Sequence, residues 1–385
     1  MQTTQVKAIL KVTALIFTAA ACCMLYAGSC YSAEKYVRVA ILQDAELIRV
    51  SVNGPYNIID ARDGKILSSG KFLSAAASGS KAGIIIDGDE YKTGRISVEA
   101  SGQQPVVING RNYRGNVRLI KKDNLRLTAV NDIGLEDYVK GILYNEVSHY
   151  WPEEALKAQA VVCRTYAIYQ SAQSSGRDYD VTNDIYSQVY GGKASERFRT
   201  NRAVDDTKGL TLTYAGAVFP AYFHATCGGH TEDASLLWNI NLPVLWGVSC
   251  GFCKESPHFN WHRVMTLDEI KDALVKAGHK NCGNILAIEI SGTDNSGRVR
   301  DLVFRTDKDM LVVSAKDFRN IIGPNAIKSA NFKVSITGRD AIFEGRGWGH
   351  GAGMCQWGAY FMAKEARSFK DILAHYYPGS ELSQY

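Results

Sequence analysis

The sequence lacks a large excess of charge of either sign. The formal net charge is only +5 over 385 residues, and two of the positive residues, Lys7 and Lys11, lie near the N-terminus. Such a small surplus of positive charge is compatible with an anionic polymer as partner. It is explained equally well by solubility alone. The glycine-rich stretch from Gly345 to Gly353 also lacks the spacing of a phosphate-binding loop, which argues against a nucleotide ligand.

What is present is typical of a folded protein. Hydrophobic residues make up 46% of the chain and charged residues 22%, the balance expected for a soluble globular fold. A length of 385 residues is enough to bury a sizeable core in one large or two medium domains.

The first 33 residues have the pattern of an export signal. A short positive region precedes Val12–Gly28, an uncharged and mostly apolar run just short of the ~20 residues that span a bilayer. Three outcomes remain open: cleavage after Ala33, retention as a single membrane anchor, or lipid attachment at Cys30, where the usual leucine three residues earlier is missing. All three predict that the remaining chain is exported to the cell envelope, as a periplasmic or membrane-attached protein.

Residues 34–127 are predicted to form a β-rich accessory region. Short runs of β-forming residues alternate with Gly, Asn and Asp turns, namely VRVAIL, LIRVSV, YNIIDA, KILSSG, GIIIDG, ISVEA, PVVING and VRLIKK. This region holds no catalytic constellation. Within it, Asn109–Gly115 has two interpretations, a basic and aromatic surface for sugar or a simple hairpin.

The stretch Leu135–Gln173 predicts two helices joined by a tight break. Glu146 follows Ile142 by four residues and Leu143 by three, so it continues the apolar stripe of the first helix. Pro152 favours the start of the second helix. Burial and the helix C-terminus both disfavour a charged carboxylate, which predicts a raised pKa suited to a general acid. The alternative is a core carboxylate paired with a nearby cation, Arg164 or Lys157.

Two short cysteine motifs predict a metal site. Cys227-Gly-Gly-His230 and Cys250-Gly-Phe-Cys253 together supply three thiols and one imidazole, the ligand set of a tetrahedral structural zinc site. The alternative is disulfide formation, because an exported chain meets oxidising conditions. Cys355 lies in an apolar stretch and, like Cys163, is predicted to be a buried free thiol.

Flat aromatic rings and hydrogen-bonding groups accompany the glycines near the C-terminus. Trp348, Trp357 and Tyr360 offer faces that pack on sugar rings, and His350 and Gln356 offer donors for hydroxyl or acetamido groups. The alternative is a tight turn into a buried helix. Helices are predicted near residues 266–278, where Thr266 and Glu269 form a capping box, and near residues 368–377. Hairpins are predicted with a turn at Ala215-Gly216 and between residues 285 and 306.

Three long blocks together resemble the SpoIID/LytB family. They are GILYNEVSHYWPEEALKAQAVVCRTYA, FHATCGGHTEDASLLW and GRGWGHGAGMCQWGAYFMAKEARSFKDILAHYYPG, in the family's order. One departure is visible after Glu146, where Val147-Ser148 replaces the usual Met-Pro. The resemblance implies an α+β fold, in which the β-rich N-terminal part packs with a mixed helical and β core, residues 128–385, that contains a glycan groove.

The same resemblance implies a peptidoglycan lytic transglycosylase with Glu146 as its catalytic acid. The sugar supplies the nucleophile, so a second carboxylate is not required, although Asp184 and Glu232 remain candidates. The implied substrate-binding residues are Gln188, Tyr190, His224, Thr226, His350 and Gln356. Two cations near Glu146, Lys157 and Arg164, are further predicted to orient the substrate or tune the acid. The implied metal ligands are Cys227, His230, Cys250 and Cys253, which some members would use for a structural zinc ion that catalysis does not require.

Two other functions compete with the transglycosylase. Some proteins of this family resemble enhancers that bind wall glycan and activate an amidase partner. A zinc hydrolase acting on stem peptides is a third interpretation, but a closed four-ligand site has no open position for water. Nucleic acid is not predicted as a partner.

Overall fold

The computed structural model describes residues 35–184 and 187–385, so the predicted export signal, including Cys30, lies outside the described residues. The part from Tyr36 to Tyr385 forms one compact unit. Within the described ranges, no helix combines the length and apolarity needed to span a bilayer. Strands and helices both contribute substantially, which confirms the predicted α+β class.

The N-terminal part is built from β-strands. They are β1 (Tyr36–Ala45), β2 (Leu47–Val52), β3 (Tyr56–Asp60), β4 (Ile66–Gly70), β5 (Leu73–Gly79), β6 (Ile84–Ile86), β7 (Asp89–Tyr91), β8 (Arg95–Ala100), β9 (Val106–Ile108), β10 (Arg111–Tyr113), β11 (Asn116–Lys121) and β12 (Leu127–Gly134). Every predicted β run is confirmed as a strand, and Asn109–Gly115 includes the turn of the β9–β10 hairpin.

Strand β5 was not predicted from the sequence. Its residues, LSAAASG, are mostly small and have little intrinsic preference for strands. It nevertheless forms because β2 and β6 pair with its two edges. Inside the sheet, β2 alternates in the expected way, with Ile48, Val50 and Val52 buried.

The helix pair grows directly out of the N-terminal sheet. β12 pairs with β1 and β11 and then continues without a loop into α1 (Leu135–Glu146), which is followed by α2 (Glu153–Gln173). Both helices are confirmed close to their predicted positions. The sheet and the helices share one hydrophobic cluster, which includes Val39 from β1, Leu143 from α1 and Cys163 from α2. This shared core fixes the end of α1 relative to the sheet.

The middle of the chain wraps around α2. It contains β13 (Val181–Thr182), α3 (Phe198–Asp206), β14 (Leu210–Tyr214), β15 (Ala217–Val218), β16 (Phe223–His224) and α4 (Ala234–Trp238). β13 joins the edge of the first sheet beside β1, and the predicted hairpin at Ala215-Gly216 is confirmed between β14 and β15.

Residues 260–346 form a layer with a hydrophobic core of its own. Its elements are β17 (Asn260–Thr266), α5 (Leu267–Lys276), β18 (Ile285–Thr293), β19 (Val299–Thr306), β20 (Met310–Ser314), α6 (Ala315–Ile322), β21 (Phe332–Thr337) and β22 (Asp340–Arg346). The core contains Phe304, Phe318 and Phe343. The predicted capping box at Thr266 and Glu269 is confirmed, as is the β18–β19 hairpin.

The last residues return to the helix pair. They form β23 (Met354–Cys355), α7 (Gln356–Lys364), α8 (Phe369–Tyr376) and β24 (Glu381–Gln384). α7 and α8 both contact α2. β23 pairs in parallel with β16, so that Phe223 lies opposite Met354 and His224 opposite Cys355. This short pairing brings the second and third sequence blocks together beside α2.

Candidate active site

Glu146 is the last residue of α1 and has no cationic partner within residues 35–184 and 187–385. The backbone N–H of Val189 donates a hydrogen bond of 2.8 Å to its Oε1. No ion pair reaches this carboxyl group from the described residues: the guanidinium of Arg164 binds Glu136, and the ammonium of Lys157 binds Glu153. The interpretation of Glu146 as half of a core ion pair is therefore wrong.

Burial tunes this carboxyl group for proton transfer. Desolvation by the surrounding protein raises the pKa of Glu146 to about 7, and the hydrogen bond from Val189 opposes that shift. At neutral pH the protonated and ionised forms are thus both populated. A group in this state can donate a proton in one step and accept one in the next.

Gln188 and Tyr190 flank Val189, and both side chains point into the core. The Gln188 side chain accepts a hydrogen bond of 3.0 Å from the Tyr138 hydroxyl, and the Tyr190 hydroxyl donates one of 2.7 Å to Asn131. Both are at most 2% exposed. The prediction that they line the groove is corrected: they position the Val189 amide against Glu146. A backbone donor leaves no side-chain signal in the sequence.

Arg164 is also unavailable to substrate. It is fully buried, and its Nε and Nη2 donate to the two carboxyl oxygens of Glu136 at 2.9 and 2.7 Å. Its Nη1 donates to the carbonyl of Leu210 at 3.0 Å. The predicted substrate-binding role is therefore corrected to a structural one, since Arg164 ties the start of α1 to α2 and β14.

Lys157 lies among three carboxylates. Its ammonium is 2.7 Å from Glu153, 3.3 Å from Asp206 and 3.4 Å from Glu154. These acidic neighbours compete with a glycan for the ammonium group. The structure therefore supports a link between α2 and α3 in place of the predicted contact with substrate.

Gln356 connects the third sequence block to the acid. Its Nε2 donates to the backbone carbonyl of Glu146 at 3.3 Å and to Oε1 of Gln159 at 3.4 Å. The first of these bonds satisfies a carbonyl that the end of α1 leaves without a helical partner. Gln356 is 7% exposed, so most of its contacts are with the protein.

An aromatic wall stands beside this junction. The ring of Trp151, five residues after Glu146, lies 5.2 Å from those of both Trp357 and Tyr360. The ring of His258 lies 4.6 Å from that of Trp348. All five side chains keep partial exposure. Trp151 and His258 were not predicted as site residues, although Trp151 lies inside the first block.

His224 and His350 form a neutral pair behind the groove. Their ring centroids are 5.6 Å apart, and the Nδ1 of His224 donates to the carbonyl of Ala352 at 3.1 Å. The N–H of Ala352 donates in turn to the Nδ1 of His350 at 3.1 Å. Burial lowers the pKa of His350 to about 3 and that of His224 well below its usual value. Both imidazoles are therefore uncharged at neutral pH.

The accessibility of the remaining predicted ligands differs. His350 is partly exposed and remains a predicted substrate-binding residue. His224 is only 4% exposed and Thr226 only 1%, and the Thr226 hydroxyl is hydrogen-bonded to that of Ser256 at 2.9 Å. The predicted direct contacts of these two are corrected to a supporting position under the groove.

The predicted metal ligands are brought together with one exchange. The thiols of Cys227, Cys250 and Cys253 cluster with that of Cys355, and all four are buried. His230 is outside the cluster, and its Nδ1 is hydrogen-bonded to the carbonyl of Thr231 at 2.6 Å. Cys355 is a buried free thiol, as predicted, but it lies in the cluster at the place that was assigned to His230.

Comparison with known proteins agrees with this geometry. The family model described as Stage II sporulation protein matches residues 123–214, the segment that contains both Glu146 and Val189. Stage II sporulation protein D of Bacillus subtilis is 31% identical over 271 residues, which cover 66% of this chain and 76% of that protein. This chain belongs to the SpoIID family.

Two further relatives extend the comparison. An uncharacterized protein of Brachyspira hyodysenteriae is 32% identical over 362 residues, covering 92% of this chain and 95% of its own length. The amidase enhancer of Bacillus subtilis is 27% identical over 294 residues, which are 64% of this chain but only 40% of that protein. A model for a domain of unknown function matches residues 244–353, which include the layer with its own core.

Proposed function

We propose that this SpoIID-family protein is a peptidoglycan lytic transglycosylase that cleaves the β-1,4 bond between N-acetylmuramic acid and N-acetylglucosamine. The observation that carries the proposal is Glu146, a carboxyl group whose pKa is raised to about 7 and which has no cationic partner in the described part of the chain. Structural carboxylates in this chain are instead paired, as Glu136 is with Arg164. An unpaired, desolvated carboxyl group is costly to keep unless it has a chemical task.

In the first step Glu146 acts as the general acid. Its proton passes to the glycosidic oxygen as the bond from that oxygen to the muramyl C1 breaks, and the carbohydrate leaving group departs as an alcohol. The carboxylate that remains keeps the Val189 hydrogen bond on Oε1, which stabilises the ionised form.

In the second step the same carboxylate acts as the general base. It takes the proton from the muramyl 6-hydroxyl while that oxygen bonds to C1, which closes the 1,6-anhydro ring and restores the acid. No second carboxylate is needed. Glu232, one of the two candidates, is 2% exposed and accepts a hydrogen bond from Ser296. Asp184, the other, accepts one from the Thr182 hydroxyl.

The groove offers the contacts that a glycan strand requires. Trp151 and Trp357 provide apolar ring faces near the carboxyl end of α1, and His350 provides a neutral imidazole. Such faces pack against the C–H surfaces of sugar rings. A peptidoglycan substrate requires a location in the cell envelope, and the predicted export signal supports this part of the proposal.

A second candidate is a non-catalytic enhancer that binds wall glycan and activates an amidase or another wall hydrolase. The match to the amidase enhancer favours it. Both candidates use the same groove, so glycan binding alone does not separate them. Only the transglycosylase needs the proton of Glu146.

The test compares wild type with Glu146→Gln on purified glycan strands, intact and stripped of stem peptides. Binding is measured by titration and cleavage by the release of soluble fragments. The transglycosylase predicts equal binding by both proteins and cleavage by wild type alone. Binding without cleavage by wild type on either substrate would reject it in favour of the enhancer. Cleavage by both would reject Glu146 as the acid.

A further inference from the structure

The four-cysteine cluster is the densest group of potential metal ligands in the part of the chain that the structure describes. It consists of Cys227, Cys250, Cys253 and Cys355. All four sulfur atoms lie within 4.8 Å of one another, and all four side chains are buried. The Sγ atoms of Cys227 and Cys253 are 3.4 Å apart.

These distances are those of ligands around one ion. Four sulfurs at about 2.3 Å from a tetrahedrally coordinated zinc ion lie about 3.8 Å from each other. A disulfide requires about 2.05 Å, which pairs the sulfurs two by two and leaves no common centre. The observed spacing therefore fits a shared cation better than two covalent bonds.

Hydrogen-bond donors surround the sulfurs as they do metal-bound thiolates. The backbone N–H of Gly229 donates to Cys227 at 3.4 Å, and that of Cys227 donates to Cys355 at 3.2 Å. The Tyr376 hydroxyl lies 3.1 Å from the sulfur of Cys250. Donors of this kind stabilise the ionised sulfur that a metal binds.

The backbone is shaped to bring these groups together. Gly228 and Gly229 follow Cys227 with φ of +80° and +120°, both in the region that favours glycine. At Gly358 a β-carbon would lie 1.8 Å from the Tyr376 hydroxyl and 3.0 Å from the Cys250 sulfur. A glycine is therefore required where the first turn of α7 approaches the cluster.

We propose that the four-cysteine cluster binds one zinc ion in a closed tetrahedral site that fastens the two sides of the groove to each other. Cys227 follows His224 by three residues on one side, and Cys355 directly precedes Gln356 on the other. Four protein ligands leave no position for water, so the ion is structural. The proposal is independent of the reaction at Glu146.

Arg298 reinforces this attachment from the layer formed by residues 260–346. Its Nη2 donates to the carbonyl of Cys227 at 2.8 Å, and its Nη1 donates to that of His230 at 3.0 Å. Arg298 and the proposed zinc ion thus both hold the loop that carries Cys227. This contact explains how a layer remote from Glu146 in sequence supports the groove.

The test measures metal content by mass spectrometry on full-length protein purified without added metal. One zinc per chain is expected in wild type, in His230→Ala and in Cys282→Ser, a matched control with a buried thiol outside the cluster. Cys253→Ser should retain less than about a tenth of the zinc. Zinc loss in His230→Ala would overturn the ligand set, and iron in place of zinc would overturn the ion.

X-ray absorption on wild type keeps the test decisive if Cys253→Ser does not fold. The expected first shell is four sulfurs at about 2.3 Å and no nitrogen. Chelation should lower the thermal unfolding temperature by at least about 5 °C, and added zinc should restore it. A metal-free wild type in which the four cysteines form disulfides would contradict the proposal.

Discussion

Glu146 and Glu232 are two buried carboxyl groups with the same raised pKa, about 7 in each case. Their surroundings differ. Glu232 is 2% exposed, accepts hydrogen bonds from Ser296 and the Asp233 amide, and lies 3.7 Å from the guanidinium of Arg298. Glu146 keeps partial exposure beside the aromatic wall and accepts its side-chain hydrogen bond from the Val189 amide.

The comparison shows that a raised pKa does not by itself identify a catalytic acid. Both shifts come first from burial. Both carboxyl oxygens of Glu232 accept hydrogen bonds from the protein. The bond from Ser296 joins the second block to the layer formed by residues 260–346. Among the described residues, the carboxyl group of Glu146 accepts a single hydrogen bond, on Oε1. The number and kind of partners separate a structural carboxyl group from a functional one.

The largest expected effect is on cleavage by Glu146→Gln. The amide keeps the size of the side chain and can still accept the Val189 hydrogen bond, but it cannot transfer a proton. Cleavage should fall by about 10³-fold or more, with little change in thermal unfolding. Rates are measured as soluble fragments released from peptide-stripped glycan.

Glu232→Gln is the matched control for this change. It should keep at least about a third of wild-type cleavage at a temperature where it is folded. Equal loss of cleavage in the two variants would contradict the assignment of Glu146 as functional and Glu232 as structural.

The next largest effect is on stability, through Arg298→Ala. This change leaves the Glu232 carboxyl group buried without its cation and removes the donors to the carbonyls of Cys227 and His230. The free energy of unfolding should fall by about 3 kcal/mol. Denaturant unfolding monitored by tryptophan fluorescence gives the value.

Arg305→Ala, in strand β19 that begins directly after Arg298, serves as the control because its pair with Glu289 is exposed. Its effect on the free energy of unfolding should be far smaller than that of Arg298→Ala, because solvent screens the exposed pair. A cost for Arg298→Ala no greater than that for Arg305→Ala would show that the Glu232 region carries little structural load.

The third effect is the pH dependence that separates rate from stability. Cleavage needs protonated Glu146, so kcat/KM should fall as pH rises above about 7, toward tenfold per pH unit. The profile is measured from pH 5 to pH 9. Glu232→Gln should show the same fall in kcat/KM at high pH. If that variant loses the fall, the titrating group is Glu232 and the assignment to Glu146 is wrong.

The free energy of unfolding should depend on the protonation of both carboxyl groups in the same way. The pKa of Glu146 is raised from 4.5 in its ordinary state to about 7 in the fold. The stabilisation by its proton is therefore complete below about 4.5 and is lost as pH rises through about 7. Relative to Glu146→Gln, wild type should lose on the order of 2 kcal/mol between pH 5 and pH 8. Unfolding free energies that run parallel in the two proteins would contradict the raised pKa.

The smallest effect is expected for Tyr190→Phe. This change removes the hydroxyl that donates to Asn131 and loosens the segment that carries the Val189 amide. The cost should be about 1 kcal/mol in stability, with cleavage reduced a few-fold. Tyr179→Phe, which removes an exposed hydroxyl bonded to Gln43, is the control. Identical behaviour of the two variants would mean that the Val189 amide is held by other contacts.

Local patterns in the sequence predicted the parts of the fold that local physics determines. The apolar period of α1 placed Glu146 at its end, and the Thr266–Glu269 capping box marked the start of α5. β5 could not be predicted, because its pairing partners, and not its small side chains, make it a strand. The same holds for β24, which pairs with β14 across more than 160 residues.

The candidate site was predictable where a side chain carries the chemistry. The spacing of Cys250 and Cys253 predicts that they act together. Cys355 lies about 100 residues further along the chain, and only the β16–β23 pairing brings it next to His224. Spacing therefore does not reveal it. Arg164 was misassigned because sequence shows a cation near Glu146 without showing that Glu136 binds it.

The central claim is that Glu146 cleaves glycan by proton transfer without water. Its most direct test is digestion of peptide-stripped peptidoglycan in water enriched in heavy oxygen, followed by mass spectrometry of the fragment ends. The account predicts 1,6-anhydro-muramyl ends that carry no heavy oxygen, produced by wild type and not by Glu146→Gln. Reducing ends that incorporate heavy oxygen would contradict it, because they would require a water nucleophile and a second carboxylate to activate it.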